Sequence, residues 1–352
     1  MDDEKYKLNI PVKNVYHMLS YAFGVLKQGG FADLGSEDFE NIYDLLSEIL
    51  IKGIESQIKR GIYKEYLPLT EQLSVLRGKI EISESLKLKV RSSTRLHCSY
   101  DDFSSDNLLN QILKSTCFAL MRCKGLKDTN KKKLKQLMMY FSEVITQTIH
   151  NIEWSQVRYH KNNMTYKMLM NICYLVCEGL IVNEENGTYK FADFIKDKLM
   201  ATLYEKFVYE FYKKKCKEMY PKIEVKYQQQ VKWQSDDGYI DLLPNMNTDI
   251  SLTSGDHSLI IDTKFYAEAM QKNYFSDNKS LISSNLYQIF AYVKNSGFKG
   301  KVSGMLLYPT VNCYICESYK LSGNNIYIRT LDLNREFIDI KRDLISIVDL
   351  VL

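Results

Sequence analysis

Apolar residues recur at three- and four-residue intervals over residues 15–26 and 39–58, the latter through Ile42, Leu45, Leu46, Ile49, Leu50 and Ile54, which predicts two amphipathic helices. From about residue 62 to residue 99 the pattern changes to short β-like pieces around Gly78, with many basic residues. Helical spacing returns at Asp106-Asn107-Leu108-Leu109-Asn110-Gln111-Ile112-Leu113, with Asp106 placed to cap the first turn, continues to about residue 139, and reappears over 164–177. A second segment opens with a helix near Leu199 that buries Leu203, Phe207, Val208 and Phe211. Strands at 223–232 and 239–243, a hairpin over 249–265, a helix through 288–294 and a strand at 301–308 follow. That succession predicts an α+β fold: a C-terminal mixed sheet flanked by helices over 191–352, preceded by an N-terminal α/β domain over 1–190. The order of elements in the second segment is the one expected of the restriction-endonuclease-like fold. No Pro/Gly/Ser linker, fixed-period repeat or low-complexity stretch interrupts it.

The hairpin carries the most informative chemistry. Thr253-Ser254-Gly255-Asp256-His257-Ser258 separates two apolar runs, and Gly followed by a polar residue is a two-residue turn signal, with Gly taking positive φ. With Gly255 and Asp256 as the turn, Asp249 falls opposite Asp262, and opposed residues share a face with Cβ atoms about 5 Å apart. Alternation puts Lys264 on that face with Asp262 and Ile260, and turns Leu259, Ile261, Thr263 and Phe265 away. Apolar residues on both faces mark a central strand. Two carboxylates so close repel unless a cation lies between them.

Mg²⁺ takes oxygen ligands and is commonly held by one or two carboxylates together with substrate phosphate, so Asp249 and Asp262 are candidate metal ligands. Lys264 is then placed to hold a scissile phosphate or orient the attacking water. An Asp/Lys surface ion pair on a hairpin is the plainer alternative. Gln288 and Tyr292 lie four apart on the later helix, either as part of the Gln-x-x-x-Tyr element that borders the active site in many nucleases of this fold or as incidental polar groups. Glu205 is either a further metal-side carboxylate or a solvent-facing helix residue.

Composition changes this picture little. The 352 residues, 45% hydrophobic and 26% charged, describe an ordinary globular chain, and a net charge of +4 permits a nucleic-acid partner without requiring one. The runs Lys131-Lys132-Lys133 and Lys213-Lys214-Lys215 are solvated helix faces or phosphate contacts, the second being better placed for the latter. Cys313-Tyr314-Ile315-Cys316 reads as part of a strand core rather than half a zinc site. An acidic start without an apolar h-region, and no apolar run approaching the roughly 20 residues that span a bilayer, lead us to expect a cytoplasmic protein without membrane contact. No G-x-x-x-x-G-K-[ST] loop occurs, so nucleotide hydrolysis is expected of another polypeptide.

Several longer pieces carry a resemblance. They are Ile10-Pro11-Val12-Lys13-Asn14-Val15-Tyr16-His17-Met18-Leu19-Ser20-Tyr21-Ala22, Arg77-Gly78-Lys79-Ile80-Glu81, Asn110-Gln111-Ile112-Leu113-Lys114-Ser115-Thr116 and Leu203-Tyr204-Glu205-Lys206-Phe207. The most specific is Leu242-Leu243-Pro244-Asn245-Met246-Asn247-Thr248-Asp249-Ile250, continuing to Ile260-Ile261-Asp262-Thr263-Lys264-Phe265-Tyr266. With Asn285-Leu286-Tyr287-Gln288 and Leu306-Leu307-Tyr308-Pro309, they span nearly the whole chain and resemble the McrC family, the nuclease subunits of McrBC modified-cytosine restriction systems. The family pattern, Thr-Asp, a spacer, then Asp-x-Lys, falls on Asp249, Asp262 and Lys264. The resemblance implies Mg²⁺-dependent cleavage of double-stranded methylated DNA, alongside a McrB-like AAA+ GTPase hexamer that binds the GTP. Family members can carry Gln at the position of Glu205, so the resemblance assigns that carboxylate no fixed role. The basic stretch 62–99 is expected to reach into the partner ring. A free-standing nuclease of the same fold and a non-catalytic GTPase regulator are the alternatives.

Overall fold

The structure, a computed structural model, describes residues 10–24, 39, 41–123, 125–183, 188–191, 193–233, 242–265, 270–272, 279–310 and 314–352. The chain forms two compact units, one of Asn41–Phe191 and one that joins Met1–Glu40 to Ala192–Leu352.

In the first unit, helix α2 (Ile42–Arg60; α1, Val12–Phe23, belongs to the other unit) is followed by β1 (Glu65–Leu73), β2 (Lys79–Ile80), α3 (Ile82–Val90) and β3 (Leu96–Ser104). Then come α4 (Leu108–Met121), α5 (Asp128–Met138), α6 (Tyr166–Gly179), β4 (Leu180–Asn183) and β5 (Thr188–Phe191). Asn41 caps α2 by accepting from the Asp44 N–H, and Lys59 and Arg60 face the negative end of its dipole. Ile49, Leu50, Ile54, Ile112, Leu113, Leu169, Ile172 and Val176 make a closed helical core. The cap of α4 is Asn107, not Asp106: the Asp106 carboxylate is drawn off to the Ile145 N–H at 2.8 Å and to Gln111 at 2.9 Å. The stretch expected to hold short β-like pieces forms a three-stranded sheet in the order β1-β3-β2, with the helix α3 between β2 and β3.

In the second unit α7 (Asp193–Met219) leads into β6 (Glu224–Tyr227), β7 (Gln230–Val231), β8 (Met246–Asn247), β9 (Ile250–Ser254), β10 (His257–Thr263), β11 (Met270–Lys272) and β12 (Lys279–Leu281). Helix α8 (Ser283–Asn295), β13 (Lys301–Thr310), β14 (Cys316–Leu321), β15 (Asn324–Asp332) and α9 (Phe337–Val348) complete it. The strand expected over 223–232 is broken into β6 and β7 at Gln228, whose φ is +46°. Of the strand expected at 239–243, Leu242 and Leu243 are irregular and the remaining residues lie outside the described ones. Six strands pair in the order β14-β15-β13-β10-β9-β6; β10–β13 and β13–β15 are parallel and the other pairs antiparallel, so the sheet is mixed as expected. Cys316 is exposed on the edge strand β14 instead of buried in a core, and Cys313 lies outside the described residues.

The helix α1 belongs to this C-terminal unit rather than to the N-terminal one expected from its place in the sequence. Its Tyr21 ring packs on Phe207 and Phe211 of α7, His17 stacks on Phe337 of α9, and Asn14 donates to the Leu333 and Arg335 carbonyls at 2.7 and 2.9 Å. On the sheet, Ile289, Tyr292 and Val293 of α8 join one apolar cluster with Ile260, Leu306, Ile326 and Ile328. Gly304 sets how closely α8 approaches, because a Cβ there would stand 2.7 Å from Ile289 Cγ1 and 2.8 Å from Val293 Cγ2. Overpacking of this kind costs roughly 1–3 kcal/mol, so Gly304→Ala is expected to lower unfolding stability by about that amount in a urea titration, and wild-type stability would contradict the packing.

Candidate active site

The turn forms at Gly255, with φ of +57°, and Asp256, and the ladder runs from His257↔Ser254 to Ile261↔Ile250. Asp262 therefore sits near the end of β10, a strand buried on both sides, and Lys264 just past it. The Lys264 N–H donates to the Leu307 carbonyl at 3.0 Å, which keeps the backbone in line with β13 after the strand ends. Alternation then brings the Lys264 ammonium to 2.8 Å from Asp262 Oδ2. The same ammonium donates to Gln288 Oε1 at 2.8 Å, and Gln288 Nε2 donates to the Tyr292 hydroxyl at 2.7 Å. Acid, ammonium, amide and phenol thus form one line from the strand end to the middle and last turn of α8.

Asp249 is a bend immediately before β9, one residue outside the ladder. Released from the pleat, its Oδ2 accepts from the Thr263 N–H at 2.7 Å and the Thr263 hydroxyl at 2.8 Å. Alternation alone placed Thr263 on the far face, so this contact differs from the expectation; the reason is that Asp249 is not held in strand geometry. Glu205 is half-buried on α7 and its Oε1 accepts from Gln228 Nε2 at 3.2 Å. The left-handed backbone of Gln228 lets its N–H reach the Asp249 carbonyl at 2.9 Å while its side chain reaches Glu205. Gln228 is a residue that sequence reasoning missed, and nothing in its local pattern announces it.

Electrostatics tie the three acids together. Burial pushes the Asp262 carboxyl up to about 7, the Asp249 charge adds to the push, and Lys264 opposes it. Asp249 is also raised by burial, against the two Thr263 donors, and Glu205 is raised by burial and then by Asp249. Asp262 is 1% exposed and its Oδ1 has no hydrogen-bond partner among the described residues. One ammonium cannot neutralise three carboxylates, and a buried oxygen without a donor is costly. These hard oxygen donors fit a divalent cation. Among the described residues no group of three or more acidic, His or Cys side chains could hold an ion by itself.

Comparison with known proteins adds an independent line. The family described as McrBC 5-methylcytosine restriction system component matches residues 4–309. The chain is 29% identical over 346 residues to the type IV methyl-directed restriction enzyme EcoKMcrBC of Escherichia coli (strain K12), covering 97% of each. A chain in the refined half-complex from the tetradecameric assembly of Thermococcus gammatolerans McrB AAA+ hexamers with bound McrC is similar in fold, with a TM-score of 0.52 and 16% identity over 97% of this chain and 76% of that one.

The raised Asp262 has a consequence for stability without divalent ions. A carboxyl that holds its proton more tightly folded than unfolded contributes stability that is present below its unfolded value and is lost as pH rises through the folded one, here near 7. Between pH values around 4 and 7, wild type is therefore expected to lose more unfolding free energy than Asp262→Asn in chelator-treated denaturant titrations. Parallel pH profiles for the two proteins would contradict the assignment.

Proposed function

The chain belongs to the McrBC 5-methylcytosine restriction system component family, and we propose that within it this protein is the DNA-cleaving subunit, an Mg²⁺-dependent endodeoxyribonuclease acting in the cytoplasm. The observation that carries the reading is the buried Asp262 paired with Lys264 at 2.8 Å, with Asp249 close enough to raise its pKa. A solvated surface pair would not be 1% exposed on its acid side. The mixed sheet with α8 across one face supports a restriction-endonuclease-like core.

Asp249 and Asp262 are the residues that would hold the cation, with Glu205 bordering them. When bound, Mg²⁺ acidifies a water and offsets charge that develops on the phosphodiester. The residues of the chain do the positioning. Lys264 offers its ammonium to a non-bridging phosphate oxygen or to the attacking water, and Gln288 fixes where that ammonium points. Tyr292 accepts from the Gln288 amide and so fixes Gln288 in turn. Thr263 holds Asp249 through two donors, which keeps the carboxylate from collapsing onto Lys264.

The partner in this reading is a McrB-like AAA+ GTPase hexamer that binds GTP and brings double-stranded methylated DNA to the site. The absence of a phosphate-loop motif from the sequence supports a division of labour between two polypeptides. The β1–α3–β3 stretch supports a partner contact, because Tyr66, Val75, Ile82, Val90 and Phe103 are all more than half exposed there. Among the described residues no helix is long and apolar enough to cross a membrane.

With GTP, Mg²⁺, methylated DNA and the GTPase partner, Asp262→Ala or Lys264→Ala is expected to cut cleavage by about a hundredfold or more while leaving GTPase stimulation intact. Residual wild-type cutting in either variant sinks the site. Cleavage by the wild-type chain alone would favour a free-standing nuclease, and GTPase stimulation without any cleavage a regulator. Deleting residues 62–99 is expected to abolish complex formation and GTPase stimulation; undiminished stimulation would refute the partner contact.

A further inference from the structure

The helical unit holds a second feature that the nuclease reading does not use. Against α4 and the segment 144–149 lies a solvent-open cavity of about 480 Å³, lined by Lys114, Phe118, Arg122, Thr146, Gln147 and Thr148 among others. Its polar lining is dominated by donors. The half-buried Lys114 ammonium donates to the carbonyls of Phe141 at 2.8 Å and Val144 at 2.6 Å, and no carboxylate pairs with it among the described residues. The Arg122 guanidinium is exposed and has no hydrogen-bond or ion-pair partner among the described residues, the backbone N–H of that residue being used to cap α4. Gln147 Nε2 is buried and unpartnered, although the backbone N–H of the same residue is held by Ser115 Oγ at 2.8 Å.

The nearby acids accept hydrogen bonds from neutral donors and pair with neither cation among the described residues. Glu143 accepts from the Ser105 hydroxyl at 3.4 Å, and Asp106 accepts from the Ile145 N–H and from Gln111. A buried amide donor without an acceptor is unfavourable, and a ligand rich in acceptor oxygens would meet it once the Gln147 side chain turns to the cavity, together with the third N–H of the Lys114 ammonium and the Arg122 guanidinium. The cavity lies in the range of small-ligand sites and exceeds what a bare oxyanion fills. The partly exposed ring of Phe118 supplies an apolar wall against which a flat group can pack.

We propose that this cavity binds the phosphate group of a nucleotide-class ligand, with Arg122 and Lys114 as the charged contacts and the Gln147 amide as a neutral donor. A free nucleotide and the phosphorylated end of a DNA strand share this chemistry. The site is separate from Asp262 and Lys264, and it stands whether or not the nuclease reading does.

The experiment is a calorimetric titration of the full chain without divalent ions, using inorganic phosphate, adenosine monophosphate, and a short oligodeoxynucleotide with and without a 5′-phosphate. Phosphate is expected to bind wild type more tightly than chloride at equal ionic strength. Arg122→Gln should weaken it by about tenfold or more, the loss of one charge-assisted contact. Gln147→Leu should weaken phosphate binding as well, while its ligand-free melting temperature is unchanged or higher, since it removes an unpaired buried donor. Tighter binding of adenosine monophosphate than of inorganic phosphate identifies a free nucleotide as the source. A preference for the 5′-phosphorylated oligonucleotide over its unphosphorylated twin, lost in Arg122→Gln, identifies a DNA end. Absence of phosphate binding by wild type, or binding by both variants as tight as by wild type, overturns the proposal.

Discussion

A carboxylate closed off from water at the end of a central strand cannot remain ionised without a positive charge beside it, and the C-terminal unit is arranged around that constraint. Lys264 supplies one charge from two residues along the same strand direction, which is the shortest route by which a pleated chain can return to the same face. That arrangement still leaves Asp262 Oδ1 without a donor among the described residues, and Asp249 and Glu205 pressing on the same field. An excess of buried negative charge is unfavourable for folding by itself, and the cation proposed above would offset it.

The rest of the unit serves to hold these groups in place. Parallel pairing of β10 with β13 extends past the last strand residue through the Lys264–Leu307 bond, so the ammonium is positioned by the sheet and not by a free loop. Helix α8 lies close on β13 because Gly304 has no side chain, and this places Gln288 within reach of Lys264. On the other side of the acids, the left-handed turn at Gln228 connects Asp249 to Glu205 on α7. Both helices hold their functional residues by means of apolar contacts made elsewhere along their length, a division that lets polar groups sit precisely placed without being the source of stability.

Much of this was legible before the structure because its causes are local. Positive φ at Gly255 and the apolar runs of β9 and β10 fix the hairpin register, and the register places Asp262 and Lys264 on one face and brings Asp249 to the end of the ladder. What sequence could not supply came from tertiary geometry. Asp249 leaves the pleat and reaches Thr263, and Gln228 gains its role from a backbone angle rather than a pattern. Asp106 and Asn107 are equally good caps in isolation; the Ile145 N–H decides between them. Strand β14 is almost wholly exposed, so it carries no alternation to read, whereas Phe337, Ile340, Leu344 and Ile347 of α9 form a helical stripe beyond the last element predicted.

If the buried acids take up a divalent cation, the cation displaces the proton that Asp262 otherwise retains. Calorimetric titration of Mg²⁺ into the chain with bound DNA, repeated near neutral pH in buffers of different ionisation enthalpy, measures both affinity and proton release. Saturable binding accompanied by release of a fraction of a proton is expected, with both lost in Asp262→Asn. Undiminished Mg²⁺ affinity in that variant, or binding by wild type with no proton released, would contradict cation uptake by these acids.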